Sequence, residues 1–599
     1  DFRNTIADLI TVKHYSTISG YMHKKGIKVY GEAIGAALGT MGNGLNSKGL
    51  VDIPMGEFWT ETDSKFRQEH PSDILEAASA AHIYNKPIVA AESFTDIRRP
   101  FGPPSFLKYL ADYYMTLGVN RFIIHTSVHQ PLDDKKPGFT LAIFGQHYTR
   151  NNTWAEQAVA WNHYLASCSY MLQQGLPTSD IAYFIGEDAP SVAPFWKSMR
   201  PAVPDGYKYD FVNAEIIINN MQVKNGELVL PSGVRYKLLV LPDQLTAMSQ
   251  PLLKKIYDLV GAGAIVLGPK PNLANGLVNY PNADLEVQKM AEALWGSANG
   301  SSVTLNGFGK GKVYWGKSIE DVMKSLGVDN DMAYTKPDFS TKLNFIHRKT
   351  SEADIYFVAN ERPIEEHVSL RFRVEGKVPE LWDADKGTST AVSYRIENGH
   401  TIIPFTFDPY GSVFVVFRQK ATSNSLELPP RIILNKQEIK GSWTIKFPPL
   451  FKNTTTVRLD SLQSWSTLPD STLRYFSGTA TYTKTFNQQR VEPGKKYWLN
   501  LGDVREIAEV RLNGKPLGII WKKPYAVEIT GILKAGNNFL EMQVTNLWTN
   551  RMQGDKNLPA DQRFTFATNT IFGNSMEGPG IQLIPSGLLG PVTITTTNR

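Results

Sequence analysis

The chain has 599 residues, 42% of them apolar and 20% charged, with a formal net charge of +6. That length calls for several domains, because one hydrophobic core seldom serves more than ~250–300 residues. The composition excludes a disordered or fibrous chain, the dispersed Lys and Arg residues form no nucleic-acid arm, and the single cysteine, Cys168, excludes an internal disulfide or a cysteine-built zinc site.

Residues 1–178 alternate helix and strand. Helical spacing runs from Asp8 to Lys25 and stops at Gly26. The run Ile27 to Glu32 predicts a short strand, and Val51 to Trp59 a second. A helix capped by Ser72 follows, with Glu76 nearby, running to Tyr84. Pro87 to Glu92 predicts a third strand, Pro104 opens a helix to Leu117, Arg121 to His125 predicts a fourth strand, and Trp154 to Gln174 a long helix. These strands are continuous apolar runs, the pattern of parallel strands covered by helices. Three of them end on a glutamate and the fourth on a histidine, and in (β/α)₈ barrels the active site is built at the C-terminal strand ends. Four strands are half of a barrel. The expectation is therefore the C-terminal half of a catalytic barrel over residues 1–178, with earlier strands upstream of Asp1.

Residues 179–342 read as a second α/β domain, with buried-type strands Ile181 to Ile185, Lys237 to Leu241 and Ala264 to Gly268, and a helix from Gln250 to Val260. Gly263 and Gly268 read as turn glycines, since no strand–glycine–helix phosphate fingerprint follows. Residues 343–420 turn to short alternating strands and predict a β-sandwich. Gln419 to Ser425 reads as a polar linker into a second all-β module over residues 421–599. There, Asn513-Gly514 between two apolar runs predicts a hairpin. The carboxylates of that module follow no common strand-end pattern, so no catalytic group is expected from it.

Glycoside hydrolysis by the usual route needs two carboxylates flanking the scissile bond. Glu32, Glu57 and Glu92 each close a predicted strand and are the candidates. His125 and His129 suit sugar hydroxyls better than a metal, because a His-x-x-x-His pair ligates well on a helix and this stretch reads as strand and loop. Trp59 is a candidate stacking platform, and a core tryptophan is the plainer reading. The aromatic content of 11% is compatible with carbohydrate handling. No nucleophile elbow is present, and no stretch approaches the ~18 apolar residues of a membrane span.

The run Asp52-Ile53-Pro54-Met55-Gly56-Glu57-Phe58-Trp59, then Ala90-Ala91-Glu92-Ser93-Phe94-Thr95, then His125 through His129-Gln130-Pro131, resembles the α-L-rhamnosidases of glycoside hydrolase family 106. Gly145-Gln146-His147-Tyr148, Asn152-Thr153-Trp154, Tyr170 to Gly175 and Asp210-Phe211-Val212-Asn213 are also similar to that family. The stretch around Leu501 to Gly514 is similar to the galactose-binding-like sandwich of many glycosidases. The resemblance implies an inverting bacterial enzyme, periplasmic or secreted, that removes terminal α-L-rhamnose from a plant-type polysaccharide or glycoconjugate. It implies calcium as cofactor, Glu92 as general base, Glu57 as a second active-site carboxylate, and a general acid in an upstream motif that this chain lacks. Two other readings stay open on the residues: a β-galactosidase-like barrel enzyme, or a non-catalytic carbohydrate-binding protein.

Overall fold

The computed structural model describes residues 1–33, 42–60, 70–96, 101–142, 144–449, 454–556, 558–567 and 583–598. They divide into two compact units. One comprises Asp1–Ser93, Asp112–Ile123 and Ser167–Glu427; the other comprises Phe94–Ala111, Ile124–Ala166 and Leu428–Arg599.

The N-terminal segment is helical from α1 (Phe2–Asp8) through a π-helical stretch (Leu9–Tyr15) to α2 (Ser16–His23). Then follow β1 (Tyr30–Gly31), α3 (Gly44–Leu50), β2 (Ile53–Trp59), α4 (His70–Ile83), β3 (Ala90–Thr95), α5 (Pro104–Thr116), β4 (Arg121–Ile124) and α6 (Ala158–Leu172). The four strands form one sheet in the order β1-β2-β3-β4, with β1 and β2 parallel. The strand–helix alternation expected from the sequence is present as this four-stranded sheet. One boundary differs in a way that matters for the site. β3 continues past Glu92 through Ser93, Phe94 and Thr95, so Glu92 lies inside its strand, as Glu57 does in β2, which ends at Trp59 as expected. The apolar run stops at the charge, but the backbone ladder does not. Glu32 directly follows β1, and His125 directly follows β4.

The second α/β domain has a six-stranded sheet, ordered Leu305–Phe308, Gly311–Tyr314, Ile265–Leu267, Leu238–Val240, Ile181–Phe184, Tyr209–Val212. All its neighbours are parallel except the first pair. Leu45, Ala80 and Ile83 join its core, so α3 and α4 pack on it. The contact is polar as well. His82 Nδ1 lies 2.7 Å from Asp210 Oδ1, the Tyr236 hydroxyl donates to Asp210 Oδ2 at 3.0 Å, and the Phe211 N–H donates to Ser79 Oγ at 2.9 Å. Through these bonds the Asp210-Phe211-Val212-Asn213 run docks α4, which is a mechanical role.

Two stacked sheets follow, one of five and one of six strands. The expected linker is structured. Gln419 and Lys420 finish the strand Ser412–Lys420, and Ser425–Leu426 pairs antiparallel with Tyr394 and Arg395. Leu176–Pro177 also joins this sandwich by pairing with Arg348 and Lys349. In the other unit the C-terminal module has a four-stranded and a six-stranded sheet around a core that includes Trp443, Trp465 and Tyr482. The Asn513-Gly514 hairpin forms as expected, with φ values of 53° and 78° and Leu512 opposite Lys515.

The helices α3 and α4 are tied by a buried cation. Lys48 Nζ donates to Asp73 Oδ1 at 2.9 Å and to Glu76 Oε2 at 2.8 Å, and the Lys48 and Glu76 side chains are fully buried. Burial alone would lower the Lys48 pKa, but Asp73 and Glu76 more than offset it and hold the ammonium charged. Replacing Lys48 by Met keeps the volume and strands two carboxylates. Breaking a buried pair costs about 3–5 kcal/mol. Urea unfolding of Lys48→Met should show a loss of that size in the unit that contains α3 and α4.

Candidate active site

β2 and β3 bring the first elements of the site together by simple alternation. In β2, Phe58 is fully buried, while Glu57 and Trp59 on either side of it are half-buried. Side chains two apart share a face, so Glu57 and Trp59 emerge together. The Trp59 indole N–H donates to Glu57 Oε1. Trp59 therefore orients a carboxylate, a role the sequence did not show. In β3, Glu92 is half-buried between buried Ala91 and Ser93. Phe94, two residues on, has φ 69°, a costly conformation for an aromatic residue and one often found beside functional sites.

The register places Gly31 opposite Pro54, so Glu32 falls level with Met55 and Glu57 lies two residues further along. With a strand rise of ~3.3 Å and a strand spacing of ~4.8 Å, the Cα atoms of Glu32 and Glu57 are about 8 Å apart. Burial first, then the charges of Glu57, Glu92 and Asp73, push the Glu32 carboxyl up to about 7, against an opposing pull from Lys48. Burial also raises Glu57, with Glu92 and Asp73 adding to it and the Trp59 N–H opposing. Glu32, Glu57 and Glu92 thus share one electrostatic environment, as their predicted places in the sheet required.

Residues outside the predicted set support the group. Asp73, in the first turn of α4, accepts the Glu57 backbone N–H on Oδ2 at 2.9 Å. Its other oxygen takes Lys48. Glu76, one helical turn on, takes Lys48 and the Ala193 N–H at 2.8 Å. Gly56 is needed for this approach, because a Cβ there would sit 3.0 Å from both the carbonyl and the Oδ2 of Asp73. Gly44 is needed likewise, since a Cβ there would collide with the Glu76 carboxylate. The signal for Asp73 and Glu76 was their i, i+3 spacing on an otherwise alanine-rich, buried helix.

The predicted histidines belong to the other unit, on the loop after β4. His125 Nδ1 lies 3.1 Å from Thr95 Oγ1, and His129 is exposed. That loop also holds His147, to which the sequence alone assigns no role. Its Nε2 lies 2.6 Å from the Pro137 carbonyl, which can only accept, so Nε2 carries the proton and Nδ1 is left as an acceptor. Burial lowers the His147 pKa, which favours the neutral ring.

Glu32, Glu57 and Asp73 offer the hard oxygen donors that calcium prefers. Among the described residues, however, no three His, Cys, Asp or Glu side chains gather in a way that could hold one ion.

The raised Glu32 carboxyl has a thermodynamic consequence. Its folded-state pKa of about 7 exceeds the ordinary 4.5, so the folded state binds this proton more tightly than the unfolded chain. Above pH 7 the ionised group costs stability, and the cost vanishes as pH falls through 7 toward 4.5. After discounting for solvent screening the cost is about 1–2 kcal/mol. Glu32→Gln should therefore stabilise the protein at pH 8 by that amount and change it little at pH 4, as read by denaturant unfolding at the two pH values.

A glycoside hydrolase 106 family model, described as alpha-L-rhamnosidase, matches residues 1–396. A galactose-binding domain-like model of glycosyl hydrolase 2 matches residues 467–576. A solved rhamnosidase from Novosphingobium sp. PP1Y matches with a TM-score of 0.92 and 35% identity, over 100% of this chain and 56% of that one. A curated protein of Formosa agariphila named putative beta-glucuronidase is 27% identical over 98% of this chain and 66% of its own length. The chain thus spans somewhat more than half of the solved rhamnosidase. With a family match over its first 396 residues and a rhamnosidase structure matching along its whole length, this chain belongs to the α-L-rhamnosidase family of glycoside hydrolases, family 106.

Proposed function

We propose that the protein removes terminal α-L-rhamnose from a plant-type polysaccharide or glycoconjugate, outside the bacterial cytoplasm and with inversion at the anomeric carbon. We assign Glu92 as the general base. The observation that carries this reading is the electrostatic coupling of Glu32, Glu57 and Glu92, three half-buried carboxyls on or beside neighbouring strands of one sheet.

In an inverting reaction one carboxylate takes a proton from water. The water oxygen then bonds to the anomeric carbon on the face opposite the leaving group. The bond from that carbon to the glycosidic oxygen breaks, and a second acid protonates that oxygen. Glu92 suits the first role because β3 is a buried strand, and a rigid element fixes a carboxylate better than a loop. Glu57, pinned by Trp59 and by its own N–H on Asp73, suits a second active-site carboxylate. Glu32, half-protonated near pH 7, suits donation to a sugar hydroxyl. Its proton also removes one negative charge facing the other two carboxylates. Calcium and the stacking of sugar on Trp59 are parts of the family resemblance that remain proposals here. No helix among the described residues is long and apolar enough to cross a membrane.

Glu92→Gln keeps the shape and removes the proton acceptor. General-base catalysis is worth ~10²–10⁴-fold, or about 3–5 kcal/mol of barrier. In the whole protein, kcat on an aryl α-L-rhamnoside should fall by that order with KM nearly unchanged. Aryl β-glucuronide and β-galactoside serve as controls. Near-normal kcat in Glu92→Gln would transfer the role to Glu57 or Glu32, and preference for either control sugar would overturn the substrate assignment.

A further inference from the structure

The segment between β4 and α6 holds His125, His129 and His147, and it is cross-tied within itself. The Gln130 side chain accepts the Phe139 N–H at 2.9 Å and donates to the Phe139 carbonyl at 2.7 Å. Arg150 donates to the Gln130 carbonyl at 2.6 Å. His147 donates to the Pro137 carbonyl.

Two donors reach this loop from the C-terminal module. The Trp548 indole N–H donates to the Asn151 carbonyl at 2.8 Å. The Phe566 N–H donates to the Lys136 carbonyl at 2.7 Å, and Phe566–Ala567 pairs in parallel with Pro137–Gly138. The arm that carries Phe566 has a buried anchor. One oxygen of Asp555 accepts the Phe564 N–H at 2.9 Å and both the N–H and the hydroxyl of Thr565 at 2.7 Å. Asp555 pairs with Arg551 at 2.8 Å, and both are almost fully buried. The Arg551 guanidinium lies 4.5 Å from the centre of the Phe564 ring.

Both reaching donors bind main-chain carbonyls of the loop, so they fix its backbone path whatever side chains it carries. They also bracket His147: Lys136 and Pro137 are adjacent, and Asn151 lies four residues beyond His147. An unheld loop of this length would lose backbone entropy at each residue that ligand binding had to order. A loop ordered in advance does not impose that cost on the ligand.

We propose that Trp548 and the Phe564–Phe566 arm are positioning elements, by which the C-terminal module holds the β4–α6 loop in the form that receives the sugar. The assignment rests on the rhamnosidase reading above and gives the module a part in substrate affinity. It gives the module no catalytic residue, in keeping with the expectation from its sequence.

The test uses the whole protein. Trp548→Phe keeps an aromatic ring and removes the N–H. Phe566→Pro removes the other donor on a partly exposed arm, and Phe566→Ala keeps it. One such bond is worth about three- to tenfold. Trp548→Phe and Phe566→Pro should each raise KM for an aryl α-L-rhamnoside by that factor, with kcat within about twofold. Amide exchange over residues 136–151 should accelerate by the same factor, and Phe566→Ala, which keeps the N–H and loses the contact of its ring with Phe139, should move both readouts less than Phe566→Pro. Unchanged exchange in both donor-deleting variants would overturn the brace. Accelerated exchange with unchanged KM, or a loss confined to kcat, would overturn its service to the sugar. Exchange is read without substrate, so a wild-type protein inactive on rhamnosides would sink the rhamnosidase reading separately, while the brace stands or falls on exchange alone.

Discussion

The arrangement of the site depends on one buried ammonium. Lys48 is the cation between Asp73 and Glu76, and those two carboxylates determine where α4 sits against β2. Asp73 does two things at once: it accepts Lys48 on one oxygen and the Glu57 backbone on the other. The strand that carries Glu57 is thereby fixed to the helix by a charge-assisted bond, stronger than a neutral one. A buried ion pair is weak evidence of net stability, since two charges must lose their water. Its value here is geometric. An apolar replacement of all three residues could pack as well, but it would leave the Glu57 N–H without its acceptor.

The same helix explains why the second α/β domain accompanies the site. The N-terminal turn of α4 serves the carboxylates, and its C-terminal half, through Ser79 and His82, is bonded to Phe211 and Asp210. A shift of that domain's strand would therefore be felt at Asp73 through a rigid helix of 14 residues. The accessory domain acts as the footing of the helix that positions Glu57. Burial first, and then the charges of Glu57, Glu92 and Asp73, raise Glu32 to about 7, and such a cluster keeps its geometry only where surrounding structure over-determines it.

Much of this was legible in the sequence, and the failures have physical causes. Glu32, Glu57 and Glu92 stood out because a charge after an apolar run is costly without a partner. The place of Glu92 within its strand did not, because the apolar run stops at the charge whereas the backbone ladder continues to Thr95. Lys48 and Asp73 are 25 residues apart, and no local pattern announces a bond over such a separation. The polar run Gln419 to Ser425 resembled a linker by composition, yet the ladder with Tyr394 and Arg395 recruits its end. The Asn513-Gly514 turn was read correctly because its chemistry is local: both residues must take positive φ.

The bond from Trp548 to Asn151 spans 397 residues of sequence, and it ties the C-terminal module to the loop between β4 and α6. A β-sandwich with a tryptophan-rich core is a rigid body. A loop is not, and sites on loops are held less well than sites on strands. Carboxylates that act on a bond at the anomeric carbon need the precision of β2 and β3. Histidines on a loop are held well only where something stiff holds its backbone. An ion-paired helix stands behind the carboxylates, and the sandwich holds the loop through the Trp548 and Phe566 donors.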